Sequence, residues 1–231
     1  MKYSKVISGE FLSRPNRFIA KVLVDGIEET VHVKNTGRCR ELLQPHAKVW
    51  LYVSDNPNRK TKYDLIAVEK ERENLPPLLV NMDSQIPNDA AEEYLLHCNL
   101  FSENAVIKRE VTYGKSRFDF YIEDGKRKAF LEVKGVTLEN DGIVSFPDAP
   151  TERGIKHINE LVKCIDDGYE AYIFFVVQMK GIKLFRPAKE LHPEFADALK
   201  NAEKAGVKII VRDCIVTPDS MTVDKETEYE I

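Results

Sequence analysis

Apolar and polar residues alternate in two runs between Arg117 and Gly135, on either side of the turn dipeptide Asp124-Gly125. This alternation predicts two β-strands joined as a hairpin, because strand side chains point to opposite faces in turn and Asp-Gly is favoured in tight turns. With Asp124 and Gly125 as a two-residue loop, Glu123 pairs with Lys126, and this register fixes every pair further along the two strands.

The predicted pairing divides the hairpin into an apolar face and a charged face. Asp119 is expected opposite Phe130, on the same face as Glu132 and Lys134, since side chains repeat every second residue. The reverse face is expected to pack into a core and consists of Phe118, Phe120, Ile122, Ala129, Leu131 and Val133. Two carboxylates and one ammonium group therefore share one face.

Short β-strands dominate the pattern before the hairpin, and five strands at this spacing are typical of a small barrel. The predicted strands are Phe18 to Val24, Glu28 to Val33, Lys48 to Val53, Tyr63 to Glu69 and Leu78 to Val80. Basic residues concentrate in this half, mostly in its loops: Arg14, Arg17, Lys34, Arg38, Arg40, Arg59, Lys60 and Lys62. For the turn that carries Arg38 and Arg40, a charged turn exposed to water on an ordinary barrel is an equally good explanation, but the clustering of basic loops favours contact with a nucleic-acid backbone.

Helical periodicity begins only after the prolines Pro76, Pro77 and Pro87, which bracket the predicted connection between a domain over residues 1–84 and a second domain over 85–231. In the second domain, helices alternate with strands, which is typical of an α/β fold with a mixed sheet and helices on both faces. The predicted helices are Asn88 to Phe101, Thr151 to Asp167 and His192-Pro193 to Ala205. The apolar run from Tyr169 to Met179 is expected to be an interior strand of that sheet.

The first of these helices contains three acidic residues near its start. Asp89 is expected to cap the helix, with Glu92 completing a variant of the capping box three residues later. Glu93 has no such structural role, so its carboxylate can lean toward the hairpin or toward water.

The composition is that of a soluble globular protein, with 43% hydrophobic and 31% charged residues among 231. A net charge of −4 argues against a strongly basic nucleic-acid coat but leaves local basic patches open. The four cysteines contain no CxxC pair, which argues against a zinc knuckle or a redox motif. The longest apolar run, Ala171 to Val177, is too short to span a bilayer. A cytoplasmic protein with no membrane association is therefore expected.

The charged hairpin face has two interpretations. Two carboxylates on adjacent strands suit a hard divalent cation such as Mg²⁺ or Mn²⁺, with Glu93 as a further candidate ligand beside Asp119 and Glu132. Lys134 lies two residues beyond the second carboxylate, where an ammonium group can orient or deprotonate an attacking water. The alternative is an exposed cross-strand ladder, in which each pair contributes only about 0.2 to 1 kcal/mol.

The order of these residues resembles that of the PD-(D/E)xK nuclease superfamily. An aspartate lies on the first strand of a hairpin and Glu-x-Lys on the second. A helix precedes the hairpin, and a second helix and a buried strand follow it. This resemblance implies that Asp119 and Glu132 are metal ligands, that the Val133 carbonyl is a further ligand, and that Lys134 is the catalytic lysine. Phe118 stands where the superfamily's name has proline. The topology thus favours a metal site over a surface ladder.

The chain also resembles the sugar fermentation stimulation protein A family, and this second resemblance extends over nearly the whole chain. The runs that carry it are Asn35 to Leu43, Arg59 to Leu65, Tyr113 to Phe120, Glu132 to Lys134 and Phe146 to His157. The resemblance implies an N-terminal OB-fold barrel, a C-terminal nuclease-like domain, DNA binding with little sequence preference and a regulatory link to sugar metabolism. Family members often have serine where this chain has Gly135.

The candidate nucleic-acid contacts come from both halves: Arg38, Arg40, Lys62, Arg117, Arg153, Lys156 and His157. For the last three, at the start of the second helix, a charge-paired face exposed to water is the alternative. The leading hypothesis is an Mg²⁺- or Mn²⁺-dependent DNA phosphodiesterase, acting on single- or double-stranded DNA. The rivals are a DNA-binding regulator of sugar (maltose) metabolism that does not cleave, and a carbohydrate-binding effector. Sequence leaves the oligomeric state undetermined.

Overall fold

The computed structural model describes residues 1–35, 37–73 and 75–231, and its first sheet closes into a barrel. The strands of this sheet are β1 (Val6–Asn16), β2 (Ile19–Val24), β3 (Ile27–Val33), β4 (Lys48–Val53), β5 (Tyr63–Arg72) and β6 (Leu75–Asn81). β1 pairs with β2 and β4, while β5 pairs with β4 and closes the ring by a parallel pairing with β3. Because the ring is closed, each strand from β1 to β5 has a neighbouring strand on both sides. β6 pairs with β5 and lies at the outside of the ring.

Two features of this barrel differ from the sequence-based expectations. The sequence did not predict β1. Phe11 is the one fully buried residue among the described positions of this strand, so its sequence shows no apolar alternation. Pro76 and Pro77 lie within β6 rather than in the connection between domains. Edge strands tolerate proline because one side of the strand needs no ladder hydrogen bonds. The connection from β6 to the first helix is Met82 to Gln85.

The second large sheet has the order β15-β14-β12-β9-β8-β7 and mixes parallel with antiparallel pairs. Its strands are β7 (Val106–Tyr113), β8 (Ser116–Asp124), β9 (Arg127–Val136), β12 (Glu170–Val177), β14 (Lys208–Thr217) and β15 (Ser220–Glu226). β12 is parallel to both neighbours, β9 and β14. Every residue from Ala171 to Val177 is at most 1% exposed, which confirms the predicted interior strand.

Three helices cover this sheet: α1 (Ile86–His97) on one face, and α2 (Glu152–Asp166) with α3 (Pro193–Lys204) on the other. α2 is capped by Thr151, whose side chain accepts from Gly154 N at 3.0 Å. α1 begins before the predicted Asp89 cap and has no side-chain cap; instead Asp89 and Glu92 both accept from Arg109 of β7. No helix in the described residues is long and apolar enough to cross a membrane.

A four-stranded sheet that the sequence did not predict as a unit lies beside these layers. It has the order β10-β11-β13-β16 and consists of β10 (Leu138–Asn140), β11 (Ile143–Phe146), β13 (Leu184–Pro187) and β16 (Glu228–Tyr229). Strands of two to four residues carry too little alternation to be found by pattern. Glu139 of β10 is 2% exposed and accepts from Lys70 Nζ of the barrel at 2.6 Å.

The hairpin forms as predicted, but its register is shifted by two residues. Asp124 pairs with Arg127, so the loop is Gly125-Lys126 rather than Asp124-Gly125. Asp124 is retained in the strand by Ser102, whose backbone N–H and hydroxyl both donate to its carboxylate, while Gly125 takes the left-handed φ of 61°. An even shift by itself moves no side chain to the opposite face, and it brings Asp119 level with Glu132 instead of Phe130.

Both faces of the hairpin are buried, in two separate cores. Phe120, Ile122 and the apolar β9 residues Ala129, Leu131 and Val133 pack in the core that contains α1 residues. Phe118, predicted on that same face, instead packs against Phe130 in the other core, which also holds α2 residues. The change of face coincides with the point where Glu110, on the neighbouring strand β7, adopts a φ of 58°. The second core continues from α2 into the barrel as one apolar cluster.

Candidate metal centre and basic pocket

Glu132 is the most enclosed charged group of the hairpin, with 3% of its surface exposed. Its Oε1 accepts from Nδ1 of His157 on α2 and from Nζ of Lys134 on the same strand. Its Oε2 is buried and has no hydrogen-bond partner among the described residues. A buried carboxylate oxygen without a donor is costly, so this position is suited to a cation.

Asp119 is held at the neighbouring strand by two donors. Its Oδ1 accepts from the side-chain amide of Asn88 at 2.8 Å, and its Oδ2 accepts from the backbone N–H of Val133 at 2.7 Å. Asn88 lies in the first turn of α1, so the helix start and both hairpin strands together orient this carboxylate. Asn88 was missed from the sequence because its contact joins residues 31 positions apart.

The pKa values of the two carboxylates are shifted in opposite directions. Burial, and then the negative charge of Glu132, raise the pKa of Asp119 above its usual range, although its two donors oppose this. Burial alone would raise the pKa of Glu132 as well, but hydrogen bonding from His157 and the charge of Lys134 lower it. The pair therefore carries negative charge that the nearby donors only partly neutralise.

His157 is bonded within the protein and is 5% exposed, so little of its ring is available to nucleic acid, and the expected contact stays a prediction. Arg153 Nε donates to Nε2 of His157 at 3.4 Å, which leaves the ring proton on Nδ1 to be donated to Glu132. Arg153 and His157 are spaced at i and i+4 on one helix, so their contact follows from the sequence, but the sequence gives no sign of the carboxylate partner of His157. Arg153 itself is exposed at the start of α2.

The residues present suit a divalent cation: Asp119 and Glu132 Oε2 are oxygen ligands of the kind that Mg²⁺ and Mn²⁺ prefer. The described residues contain no cluster of three or more His, Cys, Asp or Glu side chains placed to hold a metal, so further ligands would be backbone carbonyls, such as that of Val133, or waters. Glu93 is not brought to this site. Its carboxylate is bonded to the amino group of Met1, on the side of α1 that faces β15.

A second charged region lies on the barrel, in a pocket of about 440 Å³ lined by Arg14, Arg17, Arg38 and Arg40. The guanidinium of Arg14 is used internally: it donates to the backbone carbonyls of Arg17, Asn35, Gly37 and Arg38 at 2.6 to 2.8 Å. Arg14 thereby fixes the segment that carries the other three arginines. Arg17 also lies over the exposed ring of Phe18, 5.0 Å from its centroid.

The other predicted basic contacts are divided between internal pairs and exposed positions. Lys34 and Arg59 form ion pairs with Asp64, which is fully buried, and are not free to bind an anion. Arg117 is paired with Glu110 at 2.6 Å. Lys62 is exposed beside the Tyr63 ring, and Lys156 is exposed and donates to the Lys115 carbonyl at 2.5 Å.

Two family models match the chain, one in each half. The model described as "SfsA N-terminal OB domain" matches residues 12–75, and that described as "Sugar fermentation stimulation protein RE domain" matches residues 85–220. The chain belongs to the sugar fermentation stimulation protein family. The full-length resemblance and the two-domain fold, with an N-terminal OB barrel and a C-terminal α/β domain, are thus confirmed.

Relatives in this family match over nearly their entire length. A sugar fermentation stimulation protein homolog from Clostridium beijerinckii is 53% identical, covering 96% of each chain. The homolog from Desulfitobacterium hafniense is 56% identical, covering 96% of this chain and 94% of its own. Among solved structures, the SfsA of Pyrococcus furiosus in complex with Ca²⁺ superposes with a TM-score of 0.87 at 31% identity, covering 100% of this chain and 98% of that one.

Proposed function

We propose that the chain is a divalent-metal-dependent DNA phosphodiesterase whose reaction takes place at the hairpin of β8 and β9. The observation that carries this proposal is the buried Oε2 of Glu132, which has no partner among the described residues, in the same site as Asp119, whose pKa is raised by burial and then by the Glu132 charge. The arrangement of Asp119, Glu132 and Lys134 resembles that of the PD-(D/E)xK nucleases. The Pyrococcus furiosus relative was solved with Ca²⁺, which takes oxygen ligands as Mg²⁺ does.

Each side chain has a role that its contacts support. Asp119 and Glu132 Oε2 would hold Mg²⁺ or Mn²⁺, which when bound stabilises charge on a phosphodiester and lowers the pKa of a coordinated water. Lys134 Nζ, 15% exposed next to Glu132, would take a proton from the attacking water or donate hydrogen bonds to the phosphate oxygens. Asn88 and His157 fix the orientation of the two carboxylates.

The test separates metal binding from cleavage. Asp119→Asn and Glu132→Gln should abolish calorimetric binding of Mn²⁺ and cleavage of labelled single- and double-stranded DNA, because each removes a charged ligand of unchanged shape. Lys134→Met should retain Mn²⁺ binding and lose cleavage. Asp197→Asn, an exposed position on α3, serves as the matched control. Lack of Mn²⁺ binding by the wild-type protein at millimolar concentration, or cleavage that persists in Lys134→Met, would contradict the proposal.

A second candidate, a cytoplasmic DNA-binding regulator of sugar metabolism that does not cleave, is favoured by the arginine pocket of the barrel. The pocket is independent of the hairpin carboxylates, and OB barrels bind oligonucleotides through their loops. This alternative predicts DNA binding that Arg38→Ala weakens, together with no cleavage under any metal. The cleavage assay described above therefore decides between the two.

A further inference from the structure

A cavity of about 170 Å³ lies between the barrel and the second domain, next to the strand that carries Glu132 and Lys134. Gly135 lines it, so the cavity begins one residue beyond Lys134. Its wall combines polar side chains, Thr137, Ser145, Asp148 and Gln178, with the apolar side chains of Leu138 and Phe146. This combination differs from the arginine pocket, which is lined by cations.

Gln178 presents a fixed hydrogen-bond acceptor to this cavity. Its Nε2 donates to the backbone oxygens of Asn81 and Asp83, at 3.0 and 3.1 Å, and to the side-chain oxygen of Asn81 at 3.3 Å. The amide is 2% exposed, and these contacts use its donors, so Oε1 is the atom that faces Gly135. A Cβ at residue 135 would lie 2.4 Å from that oxygen, so glycine is the residue that lets Oε1 pack at this wall of the cavity.

Asp148 adds a second acceptor group on the barrel side of the cavity. Its carboxylate lies against Gly37, where a Cβ would be 2.1 Å from Oδ2. Asp148 is exposed on its outer side, burial of its carboxyl group raises its pKa, and no basic side chain among the described residues acts on that pKa. No lysine, arginine or histidine is found among the described residues that line the cavity. A phosphate is therefore a poor ligand here, whereas a group that donates hydrogen bonds is a good one.

The apolar residues of the wall favour a planar ligand. Phe146 is held by aromatic contacts with Phe175 and Phe195, at centroid distances of 5.7 and 5.2 Å, and is only partly buried. An aromatic side chain beside two acceptors is the chemistry that recognises an amino-substituted nucleobase, whose ring is apolar on its faces and whose exocyclic nitrogen donates at its edge.

We propose that this cavity binds a nucleobase bearing an exocyclic amino group, with Gln178 Oε1 and Asp148 accepting from the amino group and Phe146 contacting the ring. The inference rests on the proposed function in one respect: the base is assigned to the DNA strand whose phosphodiester lies at Glu132 and Lys134. Selection of a base here would give the protein a local preference near the scissile bond that the arginine pocket, which contacts any backbone, does not supply.

Deoxycytidine and deoxyuridine are the matched probes, because they differ in shape very little and cytosine has an amino donor where uracil has a carbonyl acceptor. Deoxycytidine should bind about tenfold more tightly, the effect of one well-placed hydrogen-bonded pair. In a ¹H–¹⁵N titration it should shift the backbone amides of Gly37, Gly135 and Ser145. Equal affinity for the two nucleosides, or amide shifts confined to other regions, would overturn the proposal.

Two variants test the residues that line the cavity. Asp148→Asn should reduce the preference for deoxycytidine several-fold, while Asp197→Asn on α3 leaves it unchanged. Gly135→Ala places a methyl group against Gln178 Oε1 and should weaken deoxycytidine binding at least tenfold, with thermal melting used to verify that the variant is folded. A Gly135→Ala protein that is folded and binds deoxycytidine as tightly as the wild type would place the ligand elsewhere.

The final comparison assigns the base to a strand and is made without metal, so that cleavage plays no part. An oligonucleotide of deoxyuridines with a single deoxycytidine should bind more tightly than the all-deoxyuridine strand. If free deoxycytidine is preferred but the two strands bind equally, the cavity is a nucleoside site and the strand assignment is wrong. If deoxycytidine is preferred while Mn²⁺ binding and cleavage are absent, the cavity assignment holds and the proposed nuclease activity fails.

Discussion

Nδ1 of His157 donates to Oε1 of Glu132, and this single contact determines which oxygen of the carboxylate remains available. With Lys134 also on Oε1, the other oxygen is buried without a partner among the described residues. A metal ligand whose orientation is fixed by a second residue binds its cation more tightly, because less freedom is lost on binding.

Loss of this contact should weaken metal binding without removing a ligand. We expect His157→Leu to reduce the affinity for Mn²⁺ by about 10- to 100-fold, as found for residues that orient metal ligands. His157→Asn places an amide N–H close to the position of Nδ1 and should recover part of that loss. Isothermal titration with Mn²⁺ measures both, with His97→Leu on the exposed side of α1 as the control. Identical affinities for the Leu and Asn variants would show that His157 acts only through packing.

Arg14 should affect DNA binding although its guanidinium is occupied by protein carbonyls. Arg14→Lys retains the charge but cannot bridge the four carbonyls that it now satisfies, at a cost of about 1 to 3 kcal/mol in the free energy of unfolding. DNA affinity should fall with it, because the segment of Arg38 and Arg40 loses its fixed conformation. Urea unfolding and fluorescence anisotropy measure the two effects. Weaker DNA binding with unchanged stability would mean that Arg14 contacts DNA directly.

The arginine pocket predicts a salt-dependent affinity for DNA. Each phosphate contact contributes a slope of about −0.9 to the plot of log K against log salt concentration for double-stranded DNA. Arg38→Ala and Arg40→Ala should therefore each reduce the magnitude of the slope by about 1. Arg186→Ala, in a surface ion pair with Glu230, is a control that should leave the slope unchanged. Affinity that is independent of salt would contradict a phosphate-binding role for this pocket.

The buried pair between Lys70 of the barrel and Glu139 of β10 should make stability depend on pH. Burial would raise the pKa of Glu139, but Lys70 and the Gly142 N–H outweigh this and lower it. A lowered folded-state pKa means that the stabilisation is present above the unfolded value, about 4.3, and is lost as pH falls through the folded value. Glu139→Gln should cost about 3 kcal/mol at pH 7, with a flatter pH profile in that acidic range. Urea titrations from pH 3 to 7 measure this, and parallel wild-type and variant profiles would contradict it.

Gly135 lies where any side chain would be overpacked, including the serine that the family resemblance leads one to expect at this position. Its Cβ would lie 2.4 Å from Gln178 Oε1 and 2.8 Å from Pro87 Cγ. We expect Gly135→Ser to lower the free energy of unfolding by about 1 to 3 kcal/mol. Gln178→Ala introduced alongside it should cost less than it does in the wild-type background, because it removes the clash. Purely additive effects of the two substitutions in thermal melts would exclude this contact as the cause.

The two strands of the hairpin could be predicted from the sequence, because the alternation of apolar and polar residues indicates which side chains share a face. The shift of two residues could not be predicted, since Asp124 stays in its strand through bonds to Ser102, a contact between distant segments. Spacing alone brought Asp119, Glu132 and Lys134 to one region. The bonds from Asn88 and His157 could not be inferred, because they depend on how two helices pack on opposite faces of the sheet.

The barrel shows the same division between local pattern and tertiary contact. Five of the six strands of its sheet, β2 to β6, follow from β-type alternation, whereas β1 is half exposed and leaves no such pattern. The clustering of basic residues was apparent in the sequence. That Lys34 and Arg59 are neutralised by a fully buried Asp64 was not, because burial of an aspartate has no signature in a single sequence.

The apolar cluster that joins the barrel interior to the α2 side of the sheet has a consequence for how such proteins can be recombined. If the barrel of one relative were joined to the second domain of another, the two halves of the shared core would not match. Apolar surface at the junction would then be left without packing partners. The two domains are therefore not independent packing units, and we expect a folded chimera to need both sides of that junction from one parent.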